Sequence, residues 1–256
     1  IWLFYSLSYS FYNIAANLAG IRTGIDSAVQ KRPQTVPTVQ PILVAVSKTK
    51  PLSLIKQAYD AGQRHFGENY LKELVVKSNS PDMAELCPDI KWHYIGTFQK
   101  KMASVLMRVS NLHMLETLNG AKEADAVNSR WKSTEPLQVL VQVNTSGEES
   151  KSGVTASECT ELAGHIHRNC SNLKLAGLMT IGSFGYDCTQ GPNPDFTKLA
   201  ECRKTVCKEL GIPEKDLQLS MGMSHDYTHA IEMGSTMVRV GTAIFGARDY
   251  NKTEEQ

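Results

Sequence analysis

LVAVSKTKP, residues 43–51, is an apolar, β-branched run that stops at a lysine and meets a proline three residues later. Leu43, Val44, Ala45 and Val46 have no polar interruption, the pattern of a strand buried on both faces inside a parallel sheet. Lys48 then falls just past the strand's C-terminal end, the end that carries chemistry in barrels and open sheets of alternating strands and helices. A lysine held against a buried core has its ammonium form disfavoured, and one shifted down from about 10.4 becomes a nucleophile for carbonyls. The plainer reading is a solvated residue that ends a core strand. The rest of the chain decides between them.

Outward from this stretch the chain repeats one grammar: a short apolar strand, a polar turn, then about ten residues with helical spacing. Strands are expected at residues 42–47, 64–67, 92–95, 112–115, 137–143, 175–181, 217–220 and 237–240, with helices at 52–61, 70–78, 101–108, 119–129, 156–169, 196–210 and 227–233. Such alternation implies parallel strands with right-handed crossovers. Eight units predict a (β/α)8 barrel, with a doubly wound open sheet as the fallback. Ahead of them, Ile14, Leu18, Ile21, Ile25 and Ala28 or Val29 follow three-and-four spacing, so an amphipathic helix ends near Lys31 and Arg32, closed off by Pro33, Pro37 and Pro41. This helix is expected as an extra layer on the barrel. Residues 1–13 read as an uncertain extension, and residues 14–256 as one barrel domain. The serines and Asn13 interrupt the leading aromatic stretch before transmembrane length.

Composition narrows the function. Twenty-seven basic and 26 acidic residues leave a formal net charge of +1, which gives no general attraction to nucleic acid or an acidic membrane. Small-molecule or protein partners are expected. Six cysteines without a C-x-x-C pair fit free thiols in a reducing compartment, the cytoplasm, with a mitochondrial pool as the second location. Two long loops, NTSGEESKSG at 144–153 and GSFGYDCTQGPNPD at 182–195, follow strand C-termini, where loops lengthen either for binding or because length is tolerated there.

The last third holds LSMGMSHDYTHAIEMGSTMVRVGTAIFGAR, residues 219–248, which suits a phosphate. Ser224 falls after strand seven, and Gly241 and Thr242 after strand eight, where barrels commonly hold a phosphate with backbone N–H groups and a hydroxyl. Arg239 sits between valines in the last strand and needs an acceptor there. A ring nitrogen of a bound cofactor is one candidate, and a barrel carboxylate such as Glu68 or Glu116 is the other. HFGENY, residues 65–70, sets Glu68 and Asn69 at the end of strand two on the face of Lys48. His93 inside WHYIG reads as a hydrogen-bonded core histidine. His225 and His229 stand four apart without the glutamate of a metalloprotease signature, so no metal is expected.

The blocks LVAVSKTKP, HFGENY, KWHYIG, VNTSGEESKSG, GLMTIGSFG and LSMGMS through VRVGTAIFGARDY closely resemble the pyridoxal phosphate homeostasis proteins, the YggS and PROSC family, from about Ile14 onward. The resemblance implies a barrel like the N-terminal domain of alanine racemase, binding pyridoxal 5'-phosphate as an internal aldimine on Lys48. Ser224, Gly241 and Thr242 would hold the phosphate, Arg239 would face the pyridine nitrogen, and Asn69 would lie near the ring. After Ile95 and Gly96 the family reads close to LQxNK, whereas this chain reads TFQKKMASVL; Gln99 is kept, but Met102 and Ser104 replace polar residues. An arginine at the ring nitrogen weakens the electron sink that most such enzymes need. The implied role is a non-catalytic carrier, a monomer or weak dimer, that stores the cofactor and releases it to apo-enzymes. The alternative is an amino-acid racemase or lyase of fold type III, which would need a second base. A third reading is a scaffold that has lost the cofactor.

Overall fold

The computed structural model describes residues 13–33 and 39–247. Of the sequence expectations, those on residues 1–12, on Pro37 and on the last motif from Arg248 onward lie outside the described residues. Eight strands, β1 Ile42–Val46, β2 His65–Glu68, β3 Lys91–Tyr94, β4 Leu112–Leu118, β5 Leu137–Gln142, β6 Leu173–Met179, β7 Gln218–Ser220 and β8 Met237–Val240, form a closed parallel barrel in chain order. β8 pairs back onto β1, with Val44 opposite Arg239 and Ala45 opposite Val240. The open-sheet fallback is thereby excluded, and the (β/α)8 barrel is the fold.

β1 explains why an uninterrupted apolar run was required. Alternate side chains point to opposite faces of a strand. Leu43 and Ala45 join the large core between barrel and helices, while Val44 joins a small inner cluster with Met114, Leu140, Ala176, Met179 and Met237. Removing a large apolar side chain fully from water contributes about 1.5–3 kcal/mol. Phe66, Trp92 and Phe196, all fully buried in the outer core, therefore hold the helices on. The rest of the barrel interior is polar, lined by His93, Glu116, Ser220 and Arg239.

The outer elements are α1 Ile14–Gln30, α2 Leu52–Asp60, α3 Leu71–Ser78, α4 Pro81–Leu86, α5 Ala103–Leu106, α6 Ala121–Asn128, α7 Ala156–Asn169, α8 Pro194–Leu210, α9 Tyr227–Glu232 and α10 Thr242–Phe245. Asn13 caps α1 by accepting from the Ala16 N–H at 2.9 Å, and Ile14, Leu18, Ile21, Ile25 and Ala28 form its buried stripe, as the spacing predicts. α1 is not an added layer. It packs against α9, α10 and α2, and Asn17 donates to the Ile244 carbonyl at 2.9 Å. Because α10 is a single turn, α1 fills the place in the helical ring that a full helix after β8 would take. None of the described helices is long and apolar enough to cross a membrane.

Candidate functional site

The C-terminal ends of β1, β2, β3, β6, β7 and β8, with the loops that follow them, line the mouth of the barrel. There, Lys48, Asn69, Ser224, Arg239, Gly241 and Thr242 all line one cavity of about 300 Å³, together with Val46, Lys50, Ile95, Met179, Ile181, Phe184, Met223, His225 and Gly246. The six residues singled out from the sequence thus converge, although up to 194 positions separate them in the chain. Lys48 follows β1 by two residues and is half-buried.

The turn that presents Lys48 is held from below by charge. Thr49 has φ +61°, a left-handed conformation that costs a residue with a Cβ about 1–2 kcal/mol. Its N–H donates to Glu73 Oε1 at 2.7 Å, and the Lys50 N–H donates to the Ser47 carbonyl at 3.0 Å. Lys77, 6% exposed, donates to the Ser47 carbonyl at 2.8 Å and lies 2.7 Å from Glu68 Oε1 and 2.6 Å from Glu73 Oε1. Ser47 Oγ also donates to Glu68 Oε1, at 2.7 Å. Burial drives the Glu68 carboxyl above its ordinary range, against the pull of Lys77. Glu68 is therefore absent from the cavity wall. It faces outward under the β1 turn while Asn69, the next residue, faces in, which corrects the expectation that both share the face of Lys48. Neither Glu73 nor Lys77 was legible as part of this site, because an i,i+4 Glu–Lys pair on a helix ordinarily reads as a solvated face.

Arg239 is 4% exposed and needs acceptors, as its position between valines requires. Nη1 donates to Ser220 Oγ at 2.7 Å and Nη2 to the Thr180 carbonyl at 2.8 Å. Ser220 Oγ in turn donates to Glu116 Oε2 at 2.7 Å, so the carboxylate named from the sequence is reached through a hydroxyl rather than by direct pairing. Glu68 takes no part. Burial lowers the Arg239 pKa from its ordinary value, with Glu116 and Asp226 opposing. Burial also pushes the Glu116 carboxyl up, but the His93 hydrogen bond and charge, with Arg239 and Ser220, bring it below its usual value. His93 itself is the buried, hydrogen-bonded core histidine expected, with Nδ1 2.7 Å from Glu116 Oε1 and Nε2 2.8 Å from His65 Nδ1.

At the opposite wall Ser224 Oγ accepts from the Gly241 N–H at 3.3 Å, which ties the loop after β7 to the start of α10. The first N–H groups of that helix have no intrahelical acceptor. A Cβ on Gly241 would meet the Val46 carbonyl at 3.2 Å, so glycine keeps this wall open. Asn69 Oδ1 is buried without a hydrogen-bond partner beside the cavity, an orphaned acceptor of the kind a bound polar group satisfies. Gly96 is required for a different reason: a Cβ there would lie 1.9 Å from the Asn69 carbonyl oxygen. Of the two long loops, 182–195 reaches the cavity through Phe184, which is 81% exposed and meets the His225 ring edge-on at 5.9 Å. The 144–153 loop contributes no lining residue, although Lys151 donates to the Gly182 carbonyl at 2.7 Å and braces its neighbour. In the sequence His225 and His229, four apart, were set aside because no glutamate completes a metalloprotease signature; His229 accepts from the Asn193 N–H at 3.2 Å.

Residues 25–249 match the family model described as alanine racemase, N-terminal domain. The chain is 52% identical over 242 residues to the pyridoxal phosphate homeostasis protein of Homo sapiens, covering 93% of this chain and 88% of that one. The chain belongs to the pyridoxal phosphate homeostasis protein family. Among solved structures, a protein of unknown function from Bifidobacterium adolescentis superposes with a TM-score of 0.78 at 31% identity, covering 91% of this chain and 94% of that one. PipY of Synechococcus elongatus with pyridoxal phosphate bound gives 0.69 at 27% identity, covering 91% of this chain and all 100% of PipY.

Proposed function

We propose that this chain is an intracellular pyridoxal 5'-phosphate carrier of vitamin B6 homeostasis, which holds the cofactor covalently through Lys48 and hands it to apo-enzymes. The observation that carries the reading is the convergence of a lysine, a neutral orphaned amide, a buried guanidinium and a hydroxyl-and-backbone cradle on one cavity. Family relatives named for pyridoxal phosphate homeostasis, and PipY with the cofactor bound, support it.

The donor set fits the group. Ser224 Oγ, the Thr242 hydroxyl and the backbone N–H groups that follow Gly241 would bind a phosphate by hydrogen bonds. Lys48 Nζ would be the nucleophile toward the carbonyl, oriented by the Thr49 turn that Glu73 and Lys77 fix. Arg239, linked to Glu116 through Ser220 Oγ, would face the ring and keep its proton on the guanidinium. Bound pyridoxal phosphate supplies a reactive carbonyl and an electron-withdrawing ring. A guanidinium donor at the ring nitrogen would keep that nitrogen unprotonated and so limit the electron withdrawal. Storage then prevails over turnover.

One observation favours a second reading, an amino-acid racemase or lyase: His225 lines the same cavity as Lys48 and is a titratable group of the kind a second base requires. Two experiments separate the readings. Loaded protein mixed with an apo-enzyme that needs pyridoxal phosphate should restore that enzyme's activity faster than an equal amount of free cofactor at limiting concentration. Chiral chromatography of amino acids incubated at high protein concentration should show no cofactor-dependent turnover at ordinary rates. The reverse pair of results would replace carrier with enzyme.

A further inference from the structure

The opposite, N-terminal end of the barrel carries a cluster of which no residue lines the cofactor cavity. His65 opens β2, His93 lies in β3 and His113 lies near the start of β4, and one ring nitrogen from each falls within 4.8 Å of the others. The ring centroids are 5.1, 5.2 and 5.3 Å apart. From this geometry we infer that His65, His93 and His113 form a binding site for one divalent transition-metal ion, zinc or a close neighbour, which clamps β2, β3 and β4 together at the base of the barrel.

Four features carry the inference. Three imidazoles from adjacent strands offer a nitrogen-only set, the ligand type that suits zinc, copper and nickel rather than magnesium or calcium. A tetrahedral ion bound at about 2.0–2.1 Å from each nitrogen separates its ligands by roughly 3.3 Å, so His65 Nδ1 and His93 Nε2, now 2.8 Å apart, need to part only slightly. His93 has the partner that metal-bound histidines usually have: its other nitrogen, Nδ1, lies 2.7 Å from Glu116, a fully buried carboxylate. His65 and His113 are only partly buried, so a fourth position remains open to water. Lys91 stands near enough to repel a cation, which sets the Glu116 charge as the necessary balance.

The site lies apart from Lys48 and stands whether or not the chain carries pyridoxal phosphate. Full-length, tag-free protein stripped with a chelator and titrated with zinc against a competing indicator dye is expected to bind one ion per chain at micromolar concentration or tighter, with a rise in melting temperature. Cobalt should give the visible absorption bands of a tetrahedral nitrogen site. His113→Phe and His65→Ala, each checked for folding by circular dichroism, should weaken zinc binding at least 100-fold and abolish the thermal shift. Asp125→Ala with His165→Ala, which removes the other cluster of potential ligands, Asp125, His165 and Cys170, should change neither. Saturation absent below about 1 mM zinc, or binding that survives His113→Phe and is lost with the Asp125 and His165 pair, would overturn the assignment.

Discussion

Replacing Lys77 by methionine tests the physical basis of the Lys48 turn. The ammonium is nearly buried, with 8% of its side chain exposed, against 0% for Glu68 and 24% for Glu73. Removing one partner of a buried ion pair costs about 3–5 kcal/mol, because the other charge is left in low dielectric. Here the hydrogen bond to the Ser47 carbonyl is lost as well, and Glu73, which accepts from the Thr49 N–H, loses the ammonium that steadies it. Glu68 limits the damage by taking up a proton. Its folded pKa already stands above the unfolded value, so the folded state binds that proton first and stability falls as pH rises through the folded value. Without Lys77 the folded value climbs further, so the destabilisation is larger at pH 8 than at pH 5. Urea unfolding followed by far-ultraviolet circular dichroism at both pH values is the assay. A second change, Glu68→Gln, removes the stranded charge and should recover more than half of the loss at pH 8, whereas cofactor loading should stay low because the turn is still unbraced. A Lys77→Met loss below about 1 kcal/mol at pH 8, or no recovery with Glu68→Gln, would refute the reasoning.

Gly96→Ala forces a Cβ to 1.9 Å from the Asn69 carbonyl and should cost at least about 1–3 kcal/mol, with loss of cofactor binding measured by absorbance titration. Phe184→Ser changes a side chain that is 81% exposed, so the melting temperature should hold within a degree or two while bound cofactor dissociates several-fold faster in stopped-flow exchange. Burial, then neighbouring positive charge, holds His65 down to about 3 and His113 down to about 4, from 6.5. The unfolded chain therefore takes up protons first as pH drops below 6.5, so in chelator the stability should decline from there toward pH 4, and His113→Phe should flatten that decline in denaturant titrations.

Most of the barrel was legible because parallel strands buried on both faces leave continuous apolar runs that few other structures require. β1, β3 and β5 lie within one residue of expectation at each end. β6 runs two residues earlier than expected, Leu173–Met179 against 175–181, because Lys174 interrupts its apolar start and Thr180 and Ile181 prolong its apolar end into the loop. α4, begun by Pro81, was missed as too short to show a period, and the helix expected over 101–108 is a 3-10 turn, Lys100–Met102, followed by the single turn of α5. In the site, residues at strand ends were readable from position alone. Glu73, Lys77, His65 and His113 were not, since each carries a polar side chain in a local pattern that ordinarily faces water: packing of α3 under the β1 turn places the first two, and strand pairing brings the histidines together.

The covalent role of Lys48 is tested most directly by loading the protein with pyridoxal phosphate, reducing with borohydride and locating the added mass by peptide mass spectrometry. The account predicts one pyridoxyl group per chain, on Lys48, and none in a folded Lys48→Ala variant. Stoichiometric labelling at another lysine in that variant, or no borohydride-stable adduct in the native protein, would contradict it.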